Sequence, residues 1–439
     1  MSEFLPILFF LVVLAFLMMG YPVSFTLGGV SVIFGVIMFG TDFFNLLPLR
    51  IWGVMSNYVL IAVPLFIFMG VMLERSGIAE ELLETMAFMF GKINGGLAIG
   101  VLLVGVLLGA STGIVGATVV TMGILSLPVM LKRKYSAEAS TGIIMASGTL
   151  GQIIPPSIIL VLLGSVMNVS VGNLFIAAVI PGFVLVILYL AWIFFRSKTK
   201  PSSMPSMPLE EISEFRRKGM VLRVAKALIL PGLLIVAVLG SIFAGIASPT
   251  EAAGVGALGA TVLTISQRRF NLPTLRDVMR KTTSITSMVF MILVGASAFA
   301  LVFRGMHGDR MLTDLIVGSN IEPHVFLAIV MIVIFIAGFF IDFIEITFII
   351  VPVITPLFEH MGIDLIWIGI LIAMNLQTSF LTPPFGFALF YLKGVAPKEV
   401  KTSQLYRGVV PYVTIQLVCV TLVLVFPELA TWLPELMAK

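Results

Sequence analysis

The chain has 439 residues, of which 59% are hydrophobic and 11% charged, and its mean hydropathy is +1.15. A soluble domain carries roughly 25% charged residues, so a surface this apolar is wetted by lipid, and the apolar runs recur too densely to leave room for a soluble catalytic domain. The net charge of +4 does not speak for nucleic acid, because the cations sit in short loops between apolar segments, which is a topology pattern.

A crossing helix needs about 20 apolar residues, fewer at the limit. In chain order the expected crossings are 4–19, 23–40, 58–74, 136–168, 174–195, 227–245, 249–266, 286–303, 365–395 and 409–431. The first lacks a basic leader region, with Glu3 the only charge before it, and reads as a retained segment. Residues 75–92 place Ile78, Leu82, Leu83, Met86 and Phe90 on one helical side and Glu80, Glu81 and Glu84 on the other. That pattern predicts an interfacial helix or a linking arm, with 306–321 as its counterpart. Stretches 97–131 and 325–358 are too long for one span and too short for two, and each has a polar interruption near its middle. They are expected to be re-entrant hairpins, whose tips must be buried in protein or line a cavity. Residues 196–226 are expected to form a cytoplasmic connector with a short helix near Glu210 to Lys218. Ser248-Pro249-Thr250-Glu251 predicts a capping box. Cys419 is the single cysteine and reads as a buried free thiol. His307, His324 and His360 fall in expected outer loops without metal spacing.

With the N-terminus placed outside, 22 of the 26 Lys and Arg fall on the cytoplasmic face. Only Arg50, Arg304, Arg310 and Lys439 fall outside. Making either hairpin a simple crossing inverts everything after it and spoils this asymmetry. An offset near 228 residues aligns Pro128 with Pro356, Pro155-Pro156 with Pro383-Pro384, and Gly77 with Gly305. Pro22 aligns with Pro249 after one residue of slip. The expected architecture is therefore an all-α membrane fold of two inverted repeats, 1–195 and 227–439, each with five crossings and one hairpin. Inverted repeats with interrupted helices mark alternating-access transporters.

The first hairpin tip is Gly109-Ala110-Ser111-Thr112-Gly113, and its partner is the interrupted crossing Ser147 to Ser157 with Pro155-Pro156. Two prolines strip amide donors from the helix and free carbonyls about a turn earlier. Carbonyls and hydroxyls together form an uncharged hard-oxygen shell suited to Na⁺, although a proline kink with small-residue packing explains the same pattern. The second tip, Phe340 to Glu345, carries Asp342 and Glu345 deep in an apolar stretch. An ionisable group there is a functional hypothesis: cation binding, proton carriage or solute hydrogen bonding. The alternatives are capping of the hairpin ends or sharing of one proton. Asn375, Gln377 and Thr378 precede Pro383-Pro384 and could face the same cavity, and Thr112 and Gln152 complete the solute-facing set. No Walker, HExxH or nucleophile motif is present, so neither ATP hydrolysis nor other enzyme chemistry is expected.

Gly148-Thr-Leu-Gly-Gln-Ile-Ile-Pro-Pro-Ser157, Ser248-Pro-Thr-Glu-Ala-Ala253, Gly338-Phe-Phe-Ile-Asp342 and Leu381-Thr-Pro-Pro-Phe-Gly386 resemble the large membrane subunit of tripartite ATP-independent periplasmic (TRAP) transporters. The resemblance runs end to end. It implies an elevator mechanism, Na⁺ coupling, a periplasmic substrate-binding protein, a small membrane subunit of about four helices, and residence in a bacterial inner membrane with both termini periplasmic. It also implies a small organic anion as solute, usually a carboxylate. Carried over by motif, one Na⁺ site uses Ser111 and Thr112 with carbonyls near Gly151, Ile154 and Pro156. The other uses the tip at Ile341 with Ser379, Thr382 and Phe385. The family often has Gly where this chain has Ser379, and Glu345 departs from many members. Competing readings are a stand-alone Na⁺/carboxylate transporter or exchanger, and a membrane scaffold without transport.

Overall fold

A computed structural model of the chain describes residues 5–208, 210–213, 228–318 and 321–437, and among these residues there is no strand. The first half supplies α1 (Leu5–Met18), α2 (Val23–Phe39), α3 (Leu47–Met55), α4 (Ala62–Arg75), α5 (Ile78–Phe90), α6 (Gly96–Thr112), α7 (Val115–Lys132), α8 (Ala137–Thr149), α9 (Ile158–Met167) and α10 (Val171–Thr199). The second half supplies α11 (Leu230–Phe243), α12 (Pro249–Ser266), α13 (Leu272–Gly305), α14 (Gly308–Gly318), α15 (Pro323–Ala337), α16 (Phe343–Ile349) and α17 (Val351–His360). It continues with α18 (Leu365–Leu381), α19 (Phe387–Val395), α20 (Thr402–Val425) and α21 (Glu428–Met437).

Among the described residues, five helices are long and apolar enough to cross a membrane: Tyr58–Arg75, α7, α10, α13 and α20. The pair α16 and α17, bent by 52° at Ile350, makes a sixth if counted as one span. Other apolar helices run only 10–17 residues, so even the longest reaches about 25 Å against a hydrocarbon core of about 30 Å. Part of the shortfall against the ten expected crossings comes from interruption. Segment 136–168 is divided between α8 and α9, and 365–395 between α18 and α19.

Several boundaries differ from expectation for local reasons. The segment expected at 286–303 is the end of the 34-residue α13. Its start is fixed by Asn271, whose side chain accepts the Thr274 N–H at 2.8 Å, with a proline in the first turn. Hydropathy hid this extension because its turns carry Asp277 and Lys281, which pair with Arg75 at 3.2 Å and Glu74 at 3.1 Å. The segment expected at 409–431 is broken at Phe426-Pro427, between α20 and α21. His324 and His360 lie at helix ends rather than in loops, and His307 joins α13 to α14 with φ 58°. A 3-10 turn (Thr41–Leu46) and α3 were not anticipated.

Other expectations match. α12 begins at the Ser248–Glu251 capping box. α5 buries Ile78, Leu82, Leu83 and Met86 and leaves Glu80 and Glu84 exposed. Cys419 is a buried free thiol. In the connector, α10 ends at Thr199 and residues 210–213 are helical, while 209 and 214–227 lie outside the described residues. The described part is strapped to the first half. Gly95 N–H donates to the Met204 carbonyl at 2.9 Å, Met207 N–H to Gly91 at 2.8 Å, and Ser136 N–H to Ser203 at 3.0 Å.

The core centres on α8 and α18, where every residue of Ala139–Thr149 and of Trp367–Leu381 is buried. A helix buried all round must meet neighbours that approach closely. α8 does so against α20: a Cβ on Gly142 would collide with the Gly408 carbonyl, and one on Gly408 with the Glu138 carbonyl. α2 lies along α13, and α4 along both α12 and α13.

Candidate functional site

The two interrupted helices meet in this core, because α18 packs against α8, α9 and the 3-10 turn Leu150–Gln152. At the first tip, α6 ends on Gly113 with φ 60°, a left-handed cap that glycine adopts without a Cβ penalty. Its N–H donates to the Gly109 carbonyl at 2.8 Å, and extended Ile114 leads into α7. Gly105 and Gly109, one turn apart, bring α6 onto Ser147 and Gly151. Gly109 and Gly151 meet backbone to backbone: a Cβ on Gly109 would stand 2.7 Å from the Gly151 nitrogen. Ser111 and Thr112 occupy the last turn of α6, and their side chains lie outside the described residues.

Beyond α8 the chain unwinds through Leu150–Gln152 to Ser157, whose hydroxyl donates to the Gln152 carbonyl at 2.6 Å. Outside the regular helices, the described hydrogen bonds engage the Leu150 and Gln152 carbonyls but not those of Gly151, Ile154 or Pro156. Those three are the carbonyls expected to face a cation. In the second break the carbonyls of Ile341 and Phe385 are likewise unengaged by these bonds. Ser379 Oγ donates to the Leu376 carbonyl at 2.8 Å and Thr382 Oγ1 to the Thr378 carbonyl at 2.7 Å. A hydroxyl that has given away its proton still offers lone pairs. The donor set is uncharged oxygen on both sides, which suits a hard monovalent cation.

At the second tip both carboxylates stand at the start of α16. Asp342 is the N-cap of α16 and accepts the Phe343 N–H at 2.7 Å, and Glu345 accepts the Asp342 N–H at 3.1 Å. Together they form a capping box, so the capping alternative describes their geometry. Gly338 lies directly against the Ser379 side chain, and the Phe340 and Phe385 rings meet at a tilt of 38° with centroids 5.3 Å apart.

The expected solute-facing residues separate into two kinds. Asn375 donates to the Met331 carbonyl at 2.7 Å, bracing α18 to α15, and Thr378 Oγ1 donates to Met374 at 2.8 Å within its own helix. Gln152 and Gln377 are fully buried, and neither amide has a hydrogen-bond partner among the described residues. The sequence reading missed the Gly105–Ser147 approach. The signal was there in the four-residue spacing of Gly105 and Gly109. Among the described residues no group of three or more His, Cys, Asp or Glu could hold a metal ion.

Among the described residues the chain is all-α, and its fold matches those of solved membrane transporters. The solved YdaH transporter of Alcanivorax borkumensis superposes with a TM-score of 0.63 at 14% identity, covering 96% of this chain and 97% of that one. Neisseria gonorrhoeae MtrF superposes at 0.61 and 13%, covering 89% and 85%. The pattern of the family described as "Tripartite ATP-independent periplasmic transporter, DctM component" matches residues 10–429, and the chain belongs to that family. The C4-dicarboxylate TRAP transporter large permease protein DctM of Pseudomonas aeruginosa is 31% identical over 93% of both chains. The sialic acid large permease SiaM of Vibrio cholerae is 29% identical over 96% of this chain and 97% of its own. The ectoine large permease TeaC of Halomonas elongata is 28% identical over 96% of both. These relatives are permease subunits, not enzymes, and a tripartite family implies two further components, a small membrane subunit and a periplasmic binding protein.

Proposed function

We propose that the chain is the Na⁺-coupled translocating subunit for a small organic anion delivered by a periplasmic binding protein. The observation that carries this reading is the pairing of two helix breaks, the first buried and the second exposed at Pro384 and Phe385, each with carbonyls that the described hydrogen bonds leave unengaged: Gly151, Ile154 and Pro156 in one, Ile341 and Phe385 in the other. Ser111 and Thr112 join the first as ligands, and Ser379 and Thr382 the second. Gln152 and Gln377 hold the solute through their amides, since an unpaired buried amide costs about 1–3 kcal/mol and a polar guest offsets it. Asp342 and Glu345 hold the second tip in shape. The relatives are named for C4-dicarboxylate, sialic acid and ectoine. Those molecules share a carboxylate, which supports a carboxylate-bearing solute here.

In this reading 1–195 and 227–439 are inverted repeats joined by 196–226, with the termini periplasmic. The elements bearing the breaks move as one elevator body against α2, α4, α12 and α13, in a bacterial inner membrane beside a small four-helix subunit. The direct test needs only Na⁺ as probe. The purified chain melts higher in NaCl than in KCl, by about 1.4 kcal/mol for each occupied site at a Na⁺ concentration near ten times Kd. The difference falls by one site's share in Ser379→Ala/Thr382→Val, while the first site keeps the rest. Equal melting in the two salts overturns Na⁺ coupling at this site.

A further inference from the structure

Two clefts of similar size open in the molecule. One, of about 390 Å³, is lined by Glu74, Arg75, Thr121 and Lys281 among others. Its cations are neutralised on the spot. Lys281 Nζ lies 3.1 Å from Glu74, which also accepts from Thr121 at 3.0 Å, and Arg75 pairs with Asp277 at 3.2 Å. The other cleft, of about 400 Å³, is lined by Arg50, Asn57, Ser165, Ser297, Arg304 and Phe348 among others. Asn57 Nδ2 donates to Ser165 Oγ at 2.9 Å. Neither the Arg50 nor the Arg304 guanidinium has a hydrogen-bond or ion-pair partner among the described residues. Arg304 also lines an adjoining cavity of about 130 Å³, together with Asp309.

The walls of the second cleft come from two sources. α3 and the end of α13 bring the arginines, while α9 brings Ser165 and α16 brings Phe348. α9 begins where the first break ends, and α16 begins at the Asp342 cap. Both arginines belong to the small cationic set that charge asymmetry places outside. We propose that Arg50 and Arg304 form an entry site that takes the carboxylate of the arriving solute before it reaches the helix breaks. Two unpaired guanidinium groups facing one cavity concentrate anions there, and each presents a planar fork that matches a carboxylate. The site extends the transport reading above and rests on it.

The test is saturation-transfer NMR of succinate against the full chain in phosphatidylcholine nanodiscs, with neutral succinamide as control. No gradient or binding protein is needed, so the result is read separately from Na⁺ coupling. Arg50→Gln/Arg304→Gln lowers the succinate signal at least about threefold, as loss of charge-assisted bonds requires. Arg310→Gln, on the same predicted face but outside the cleft, leaves it unchanged. Each single variant lowers it in part, which serves if the double variant does not fold. Equal signals in parent and variants overturn the proposal, as does an equal loss in Arg310→Gln. Native mass spectrometry in phosphatidylglycerol supplies the other arm. If the double variant sheds bound phosphatidylglycerol while keeping its succinate signal, the arginines hold lipid phosphate and the proposal falls.

Discussion

The break after α8 and the break after α18 both follow helices buried along most of their length, yet different forces hold them. The first tip is fixed by main chain against main chain, Gly109 on Gly151, with no room for a side chain between them. The second is fixed by side chains: the Asp342–Glu345 box, the Ser379 side chain against Gly338, and Asn375 bound to the Met331 carbonyl. Backbone contact leaves nothing to rotate, whereas a carboxylate or hydroxyl can exchange partners through one rotamer change. The first break is therefore the rigid half of the site, and the second is the half that can adjust.

The strongest way to break this comparison is Gly151→Ala. Its methyl group meets the Gly109 carbonyl, so α6 and α8 must separate, at about 1–3 kcal/mol. The thermal unfolding midpoint should fall and no single partner substitution should restore it; an unchanged midpoint would refute the rigid tip. Gly338→Ala meets a side chain instead. It should cost about 1 kcal/mol and be relieved by Ser379→Gly, with a coupling of about 0.5 kcal/mol or more in the double-mutant cycle. Additive losses would show that the two residues do not meet. Glu345→Ala removes one half of the capping box and should cost about 1 kcal/mol, while Glu345→Gln, which keeps an acceptor, should stay within about 0.5 kcal/mol of the parent. Identical losses from the two variants would assign Glu345 a role through its charge.

What was readable in the sequence was local. Ser248 to Glu251 and Asp342 to Glu345 are contacts three residues apart, and a capping box is written within one turn. The breaks were visible as Gly and Pro-Pro interruptions in apolar runs. Tertiary bonds were not visible. Asn375 reaches a carbonyl 44 residues away, and nothing near it in sequence announces that partner. The charged start of α13 was lost because hydropathy counts Asp277 and Lys281 as loop, although Arg75 and Glu74 neutralise them in the fold. Arg50 was counted only as a topological charge, since a nine-residue helix such as α3 is too short to declare a periodicity.

Cys419 has a practical consequence. It is the only cysteine, it is fully buried, and its Sγ sits 3.9 Å from the Pro181 carbonyl. The native chain is thus silent toward thiol reagents, and any cysteine introduced on its surface would be the sole reactive handle. Spin labels or fluorophores can be attached in pairs to α13 and α9 without first stripping the protein of its own sulfhydryls, so distances across the second cleft can be followed in an otherwise native background.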